Sequence, residues 1–157
     1  IKALSKIEDT LQIFTMPNAD PGNRRIFDII KSYVEESNQA VYFKSLGQLK
    51  YYSCLANVDA VLGNSSSGIL EAPSFNIATI NLGERQKGRL FAKSVLNVKP
   101  ESEAISEAIS NIYTDEFIYL LKDNISPYGS GGTAEKIVSI LEGVCFNDLL
   151  RKPFFDL

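Results

Sequence analysis

Short apolar, β-prone runs alternate with amphipathic helical stretches along this chain, and that alternation admits few folds. It is the pattern of a parallel sheet with crossover helices on both faces. The strand candidates are residues 11–15, 40–43, 59–62, 78–82 and 94–98. Between the first two, Pro21-Gly22-Asn23 opens a helix whose apolar face is Ile26, Phe27, Ile29, Ile30, Tyr33 and Val34. Residues 48–56 predict a second helix, and residues 68–74 a short one that ends near Pro73 and Asn76. Ile105, Ile109 and Ile112 stripe a helix after Pro100. Further helices are predicted over 115–122 and 133–141, and the 157 residues, 1–157, read as one domain without repeat or linker.

Composition narrows the chemistry. The chain is 45% hydrophobic and 22% charged, as in an ordinary soluble protein. A net charge of -3 lacks the basic footprint of a nucleic-acid binder. No apolar run approaches the ~20 residues of a membrane span. Cys54 and Cys145 fit no metal spacing and read as thiols in a reducing cytoplasm. There is no histidine, so the commonest general base and the commonest zinc ligand are both missing. No metal or cofactor is expected. The opening at Ile1, without methionine, suggests a piece of a longer protein.

The richest segment is Asp59-Ala60-Val61-Leu62-Gly63-Asn64-Ser65-Ser66-Ser67-Gly68-Ile69-Leu70-Glu71. A short strand enters a loop of small hydrogen-bonding residues that opens directly into a helix. Such a junction points amides and hydroxyls at the space above the strand, where the helix dipole also favours an anion. The plainer account is a polar turn with a serine N-cap. Consecutive serines with flanking glycines exceed what capping needs. It is neither a P-loop nor a dinucleotide fingerprint, because Gly-Lys-Ser/Thr and Gly-x-Gly-x-x-Gly are both absent. Glu71, about a turn into the helix, is either a dipole-favoured surface acid or an acceptor for two adjacent ribose hydroxyls.

Other loops lie at the same end of the strands, where ligands bind in open parallel sheets. Leu82-Gly83-Glu84-Arg85-Gln86-Lys87-Gly88-Arg89 reads as a solvated charge run, or as a place for Arg85 to grip a diphosphate in bidentate fashion. Pro17-Asn18-Ala19-Asp20-Pro21-Gly22 is a turn in which Asn18 or Asp20 forms an Asx turn, or Asn18 reaches a substrate. Residues 43–47, with Ser45 and Leu46, form an ordinary loop or hold a base edge. Tyr128 to Gly132 form a connector or a glycine-rich approach to sugar or phosphate.

Taken together, these motifs resemble a family. Gly63-Asn64-Ser65-Ser66-Ser67-Gly68-Ile69-x-Glu71-Ala72-Pro73, followed by Ile80-Asn81-Leu82-Gly83-x-Arg85-Gln86-x-Gly88-Arg89, is similar to the UDP-N-acetylglucosamine 2-epimerases. Pro17-Asn18-x-Asp20-x-Gly22 and Pro127-Tyr128-Gly129-x-Gly131 match in order on either side. The hydrolysing, sialic-acid-precursor branch fits best, since the other branch carries an Asp-Ser-Gly-Gly version of the serine loop.

The resemblance implies a Rossmann-like parallel sheet, the C-terminal half of a GT-B fold with its active site in the cleft between two halves. It implies that Ser65 and Ser66 bind the diphosphate, Glu71 the ribose and Arg85 the nucleotide. Ser45 and Leu46 would contact uracil, and Asn18 the hexosamine. Asp20, Ser67, Gly68 and Tyr128 are further candidate contacts. The implied reaction eliminates UDP across C1–C2 of the sugar and adds water to the glycal, releasing free N-acetylmannosamine, or the corresponding product where the substrate is a bacillosamine-type diacetamido sugar. The family's acid–base carboxylates lie in the absent N-terminal half and its active-site histidine upstream of the matched region, so this piece alone is expected to turn nothing over. The expected partners are UDP, a UDP-N-acetylhexosamine and the missing half, with a cytoplasmic homo-oligomer when complete. Two other readings share the features: the donor-binding half of a GT-B glycosyltransferase, and a nucleotide-sugar sensor without chemistry.

Overall fold

The computed structural model describes residues 1–17 and 22–145. Asn18, Asp20 and the apolar tail at 153–155 lie outside the described residues. The described residues form five strands and six α-helices. They are β1 (Gln12–Thr15), α1 (Asn23–Glu36), β2 (Ala40–Phe43), α2 (Gly47–Leu55), β3 (Ala60–Gly63), α3 (Ser67–Leu70), β4 (Ala78–Leu82), β5 (Val95–Val98), α4 (Ser102–Ile112), α5 (Asp115–Lys122) and α6 (Thr133–Gly143). All five expected strands form, within a residue of the expected ends. Among the described residues no helix is long and apolar enough to cross a membrane.

Backbone pairing groups the strands as β1-β2 and β3-β4-β5, each parallel. In the first group alternation sets the faces. Gln12 and Phe14 stand beside Ala40 and Tyr42 and meet α1. The Phe14 ring packs edge-on against Tyr33 and the Tyr42 ring against Phe27. The Tyr33 hydroxyl donates to Gln12 Oε1 at 2.9 Å, and Gln12 Nε2 donates to the Leu4 carbonyl at 3.0 Å. The opposite face leaves Val41 and Phe43 exposed. The helices on both faces that the sequence predicts are therefore found around the second group.

That second group holds the core. Ala78 and Ile80 of β4 are buried with Ala108 and Ile112 of α4 and Phe117 of α5. The other face meets two smaller clusters, Leu55 with Ala72 and Ile77, and Ile69 with Ala92 and Val95. The Thr114 hydroxyl caps α5 by accepting from the Phe117 amide.

The segment after the serine loop departs from the expected single helix over 68–74. α3 is one turn long, and a 3-10 turn, Ala72–Phe75, follows after a break at Glu71. Pro73 is the cause: it has no N–H to give, and its ring collides with the carbonyl four residues back. Asn76, at φ 54°, ends the 3-10 turn in the left-handed region. The break takes Glu71 out of a helical face and turns it to a corner.

Gly68 is buried where α3 crosses β4, and a β-carbon there would lie 2.8 Å from Thr79 Cγ2. Thr79 has no room to yield, being 2% exposed with its hydroxyl donating to the Gly68 carbonyl at 2.8 Å. Gly68→Ala is expected to cost about 1–3 kcal/mol, as overpacking does. Urea unfolding measures it, and an unchanged midpoint would contradict the close approach.

Candidate functional site

Within each sheet the parallel strands place their carboxyl ends together, and the loops that follow carry the predicted residues. β3 ends at Gly63 and delivers Asn64, Ser65 and Ser66. Ser65 and its neighbours fold as a serine turn: the Ser67 amide donates to Ser65 Oγ at 3.4 Å, and the Gly68 amide to the Ser65 carbonyl at 3.3 Å. Ser66 is the N-cap of α3, yet its side chain makes no capping bond. Its hydroxyl is therefore not committed to the helix. A one-turn helix sums few peptide dipoles, which corrects the expected dipole contribution. Attraction for an anion falls instead to donors of the loop and to cationic side chains.

Those cations come from the loop after β4. Gly83 turns the chain at φ 71°, a conformation that costs a residue with a β-carbon 1–2 kcal/mol. Arg85 follows and is exposed. Lys87 pairs with Glu84 at 3.5 Å, both on the surface. Gln86 is 3% exposed, and its Nε2 donates to the Asn64 carbonyl at 2.7 Å. That bond ties the arginine loop to the serine loop. Sequence reading quoted Gln86 within a motif but gave it no role. An amide between two arginine-like neighbours at a strand end was the available signal.

Glu71 sits in a hydrogen-bonded corner. The Ser67 hydroxyl donates to Glu71 Oε2 at 2.7 Å, and the Tyr52 hydroxyl donates to Oε1 at 3.5 Å. Ser67 also hydrogen-bonds to the Tyr51 hydroxyl. The Ser67 proton faces an acceptor-only carboxylate, so Tyr51 is the donor to Ser67. Burial pushes the Tyr51 phenol above its usual range, and the nearby Glu71 charge pushes the same way. It stays a protonated donor at neutral pH. Tyr51 and Tyr52 both belong to α2 and were missed, because adjacent tyrosines on a helix read as core aromatics.

Ser45 and Leu46 lie at the start of α2, Leu46 as its N-cap, and Ser45 Oγ accepts from the Gly47 amide at 3.3 Å. The structure therefore connects this loop to Glu71 through one helix. Gln48 Nε2, just after the loop, reaches the Tyr52 hydroxyl at 3.5 Å.

Three expected contacts become supports. The hydroxyl of Ser67 is committed to Tyr51 and Glu71, which leaves it oriented inward. Gly68 is buried, and its amide and carbonyl are both taken, so it packs α3 on β4 rather than meeting a ligand. The Tyr128 hydroxyl donates to the Leu90 carbonyl at 3.0 Å, pinning the second glycine-rich loop to the end of the arginine loop. Asn124, also missed, donates to the Pro73 carbonyl at 2.9 Å and accepts from the Ser94 amide at 3.1 Å. An open cavity of about 690 Å³ beside it is lined by Pro73, Asn76, Ser126 and by Gly129 to Gly131 of the second glycine-rich loop, while Ser65, Ser66, Glu71 and Arg85 stand outside its lining.

Chemically, the serine loop carries hydroxyl donors, the loop after β4 carries an exposed arginine, and the corner holds a positioned carboxylate. It has no histidine.

Known proteins resemble this chain in sequence and fold. The family model for UDP-N-acetylglucosamine 2-epimerase matches residues 1–142. A GDP/UDP-N,N'-diacetylbacillosamine 2-epimerase (hydrolyzing) of Campylobacter jejuni is 38% identical over all of this chain and 42% of its own length. The polysialic acid biosynthesis protein P7 of Escherichia coli is 35% identical over all of this chain and 40% of its own. The S. aureus MnaA–UDP co-structure superposes with a TM-score of 0.70 at 20% identity, over 97% of this chain and 41% of that one. UDP-GlcNAc 2-epimerase from Neisseria meningitidis, bound to UDP-GlcNAc, gives 0.61 at 14%, over 91% and 47%. The chain thus spans about two fifths of the length of the relatives it matches.

Proposed function

The chain belongs to the UDP-N-acetylglucosamine 2-epimerase family, and from that premise we propose that it is the C-terminal, UDP-holding half of a hydrolysing 2-epimerase. The observation that carries the reading is the corner in which Glu71 is held by Ser67 and Tyr52 beside a serine loop tied to the Arg85 loop by Gln86. A diphosphate on Ser65, Ser66 and Arg85 places an attached ribose within reach of Glu71. Ser45 and Leu46, at the head of the helix that carries Tyr52, take the base. Asn18 is proposed to face the sugar.

The substrate is a UDP-linked 2-acetamido hexose, and the products are UDP and the free 2-epimer. In such a reaction the sugar C2–H bond and the bond from C1 to phosphate both break. The C2 proton goes to a base, and the bonding pair to oxygen leaves with UDP. Water then adds across the new double bond. This half stabilises the leaving diphosphate, a task for charged and hydrogen-bonding groups aimed at developing charge. The base is assigned to the other half on the family resemblance, because Glu71, the carboxylate of this corner, is taken up by Ser67, Tyr52 and the ribose. Exposed Ile137, Ile140 and Leu141 on α6 fit burial against that half in a homo-oligomeric enzyme. The free cysteines Cys54 and Cys145 suit a cytoplasmic setting.

The test is to give the full-length protein UDP-N-acetylglucosamine alone and follow products by NMR. Equal release of UDP and free N-acetylmannosamine is expected. UDP released only when an acceptor sugar is added would make the protein a glycosyltransferase. Binding without turnover, of this sugar and of its diacetamidobacillosamine counterpart alike, would make it a sensor.

A further inference from the structure

Glu71 is not a bare carboxylate waiting for a ligand. Its two oxygens offer about four lone-pair positions in all. Ser67 occupies one on Oε2 and Tyr52 one on Oε1. One acceptor position then remains on each oxygen, which matches in number the two adjacent hydroxyls of a diol and exceeds what a single hydroxyl uses. The orientation that produces this match is not set by backbone regularity, because Glu71 stands at the break between α3 and the 3-10 turn. It is set from α2. Tyr51 donates to Ser67, which donates to Glu71, and Gln48 reaches the Tyr52 hydroxyl that meets the other oxygen.

We propose that Tyr51, acting through Ser67, is a positioning residue that fixes the Glu71 carboxylate and so sets this site's preference for a vicinal diol over a single hydroxyl. The proposal rests on the reading that Glu71 faces the ribose of UDP. Without the Tyr51 hydroxyl, Ser67 loses the partner that aims its proton. The carboxylate can then rotate, and a diol no longer finds both acceptors in register. A ligand with one hydroxyl loses little, because it uses one oxygen in either orientation. Tyr51 is half-buried and packs beside Tyr52, with ring centroids 6.2 Å apart, so Tyr51→Phe keeps the ring packing and removes only the hydroxyl.

The experiment is calorimetric binding of UDP and 2′-deoxy-UDP to the full-length protein and to Tyr51→Phe, Ser67→Ala, their double variant and Glu71→Gln. Tyr51→Phe is expected to weaken UDP about threefold to tenfold, the range of one neutral hydrogen bond, and 2′-deoxy-UDP less than twofold. The preference for the diol falls accordingly. Because the two residues act in series, the double variant should match Ser67→Ala alone rather than sum the two effects. Equal weakening of both nucleotides by Tyr51→Phe, or additive effects in the double variant, would overturn the relay. If Glu71→Gln weakens UDP and Tyr51→Phe weakens neither nucleotide, the relay fails and the ribose reading stands. If Glu71→Gln changes neither, the ribose reading falls and takes the relay with it.

Discussion

Ile80→Ala is expected to destabilise the domain by about 2–5 kcal/mol, lowering its melting temperature by roughly 5–15 °C. Ile80 is 1% exposed at the centre of β4, the middle strand of its sheet. Leu62 and Leu96 flank it in register on the two neighbouring strands. Ala108, Ile112 and Phe117 of the helices above it close the cluster. Truncation leaves a cavity whose walls are held apart by ladder hydrogen bonds on both sides, so little of it can collapse. The control is Ile26→Ala on α1, where the side chain is 50% exposed and the loss should stay under about 1 kcal/mol. Denaturant unfolding of both variants decides it, and equal losses would show that β4 is not the structural centre. The site should weaken together with the core, since β4 carries Thr79 beneath Gly68 and leads into the Arg85 loop.

The same strand shows what was legible in advance. β4 reads as an apolar run with turn residues on each side, and its bounds in the structure are the expected ones. α5 likewise forms over 115–122, where Thr114 precedes two acids and an apolar stripe. Period and capping residues are local signals, and they carried these elements. The break at Glu71 was harder. Pro73 was visible as a stop, but a proline excludes the helix a full turn behind itself, and the expected helix ran through it. The division of strands into two groups is not legible at all, because side-chain pattern fixes which face a residue takes and not which strand lies alongside.

For the site, residue types and their strand ends could be read, while mutual contacts could not. Ser65, Ser66 and Arg85 stand on the loops after β3 and β4 where pattern put them in the chain, whereas Glu71 stands at a helix break rather than inside a helix. Ser67, Gly68 and Tyr128 were equally good candidates by type, and only the geometry shows their polar groups engaged within the protein. Gln86, Tyr51 and Tyr52 act across 15 or more residues of sequence, through single hydrogen bonds. No spacing rule marks such a bond.

In the full-length enzyme, Arg85→Ala is expected to raise KM for the nucleotide sugar by about tenfold or more. A hydrogen bond to a charged group contributes roughly 1.5–3 kcal/mol, and each 1.4 kcal/mol is a factor of about ten. Position sets Arg85 apart from its neighbours. It lies two residues after the Gly83 turn and one before Gln86, whose amide holds this loop against Asn64. Lys87 has a surface carboxylate at 3.5 Å and lies beyond that anchor, so Lys87→Ala should change KM less than twofold. Arg85→Lys should recover only part of the loss, because an ammonium keeps the charge without the planar pair of donors. Uridine supplies the decisive comparison: it has the base and the diol without the diphosphate. If Arg85 grips phosphate, its removal weakens UDP and leaves uridine binding unchanged. Equal weakening of both would move Arg85 to the base or ribose. An unchanged KM would return it to the solvated charges, leaving the hydroxyls and amides of Ser65 and Ser66 to hold the diphosphate.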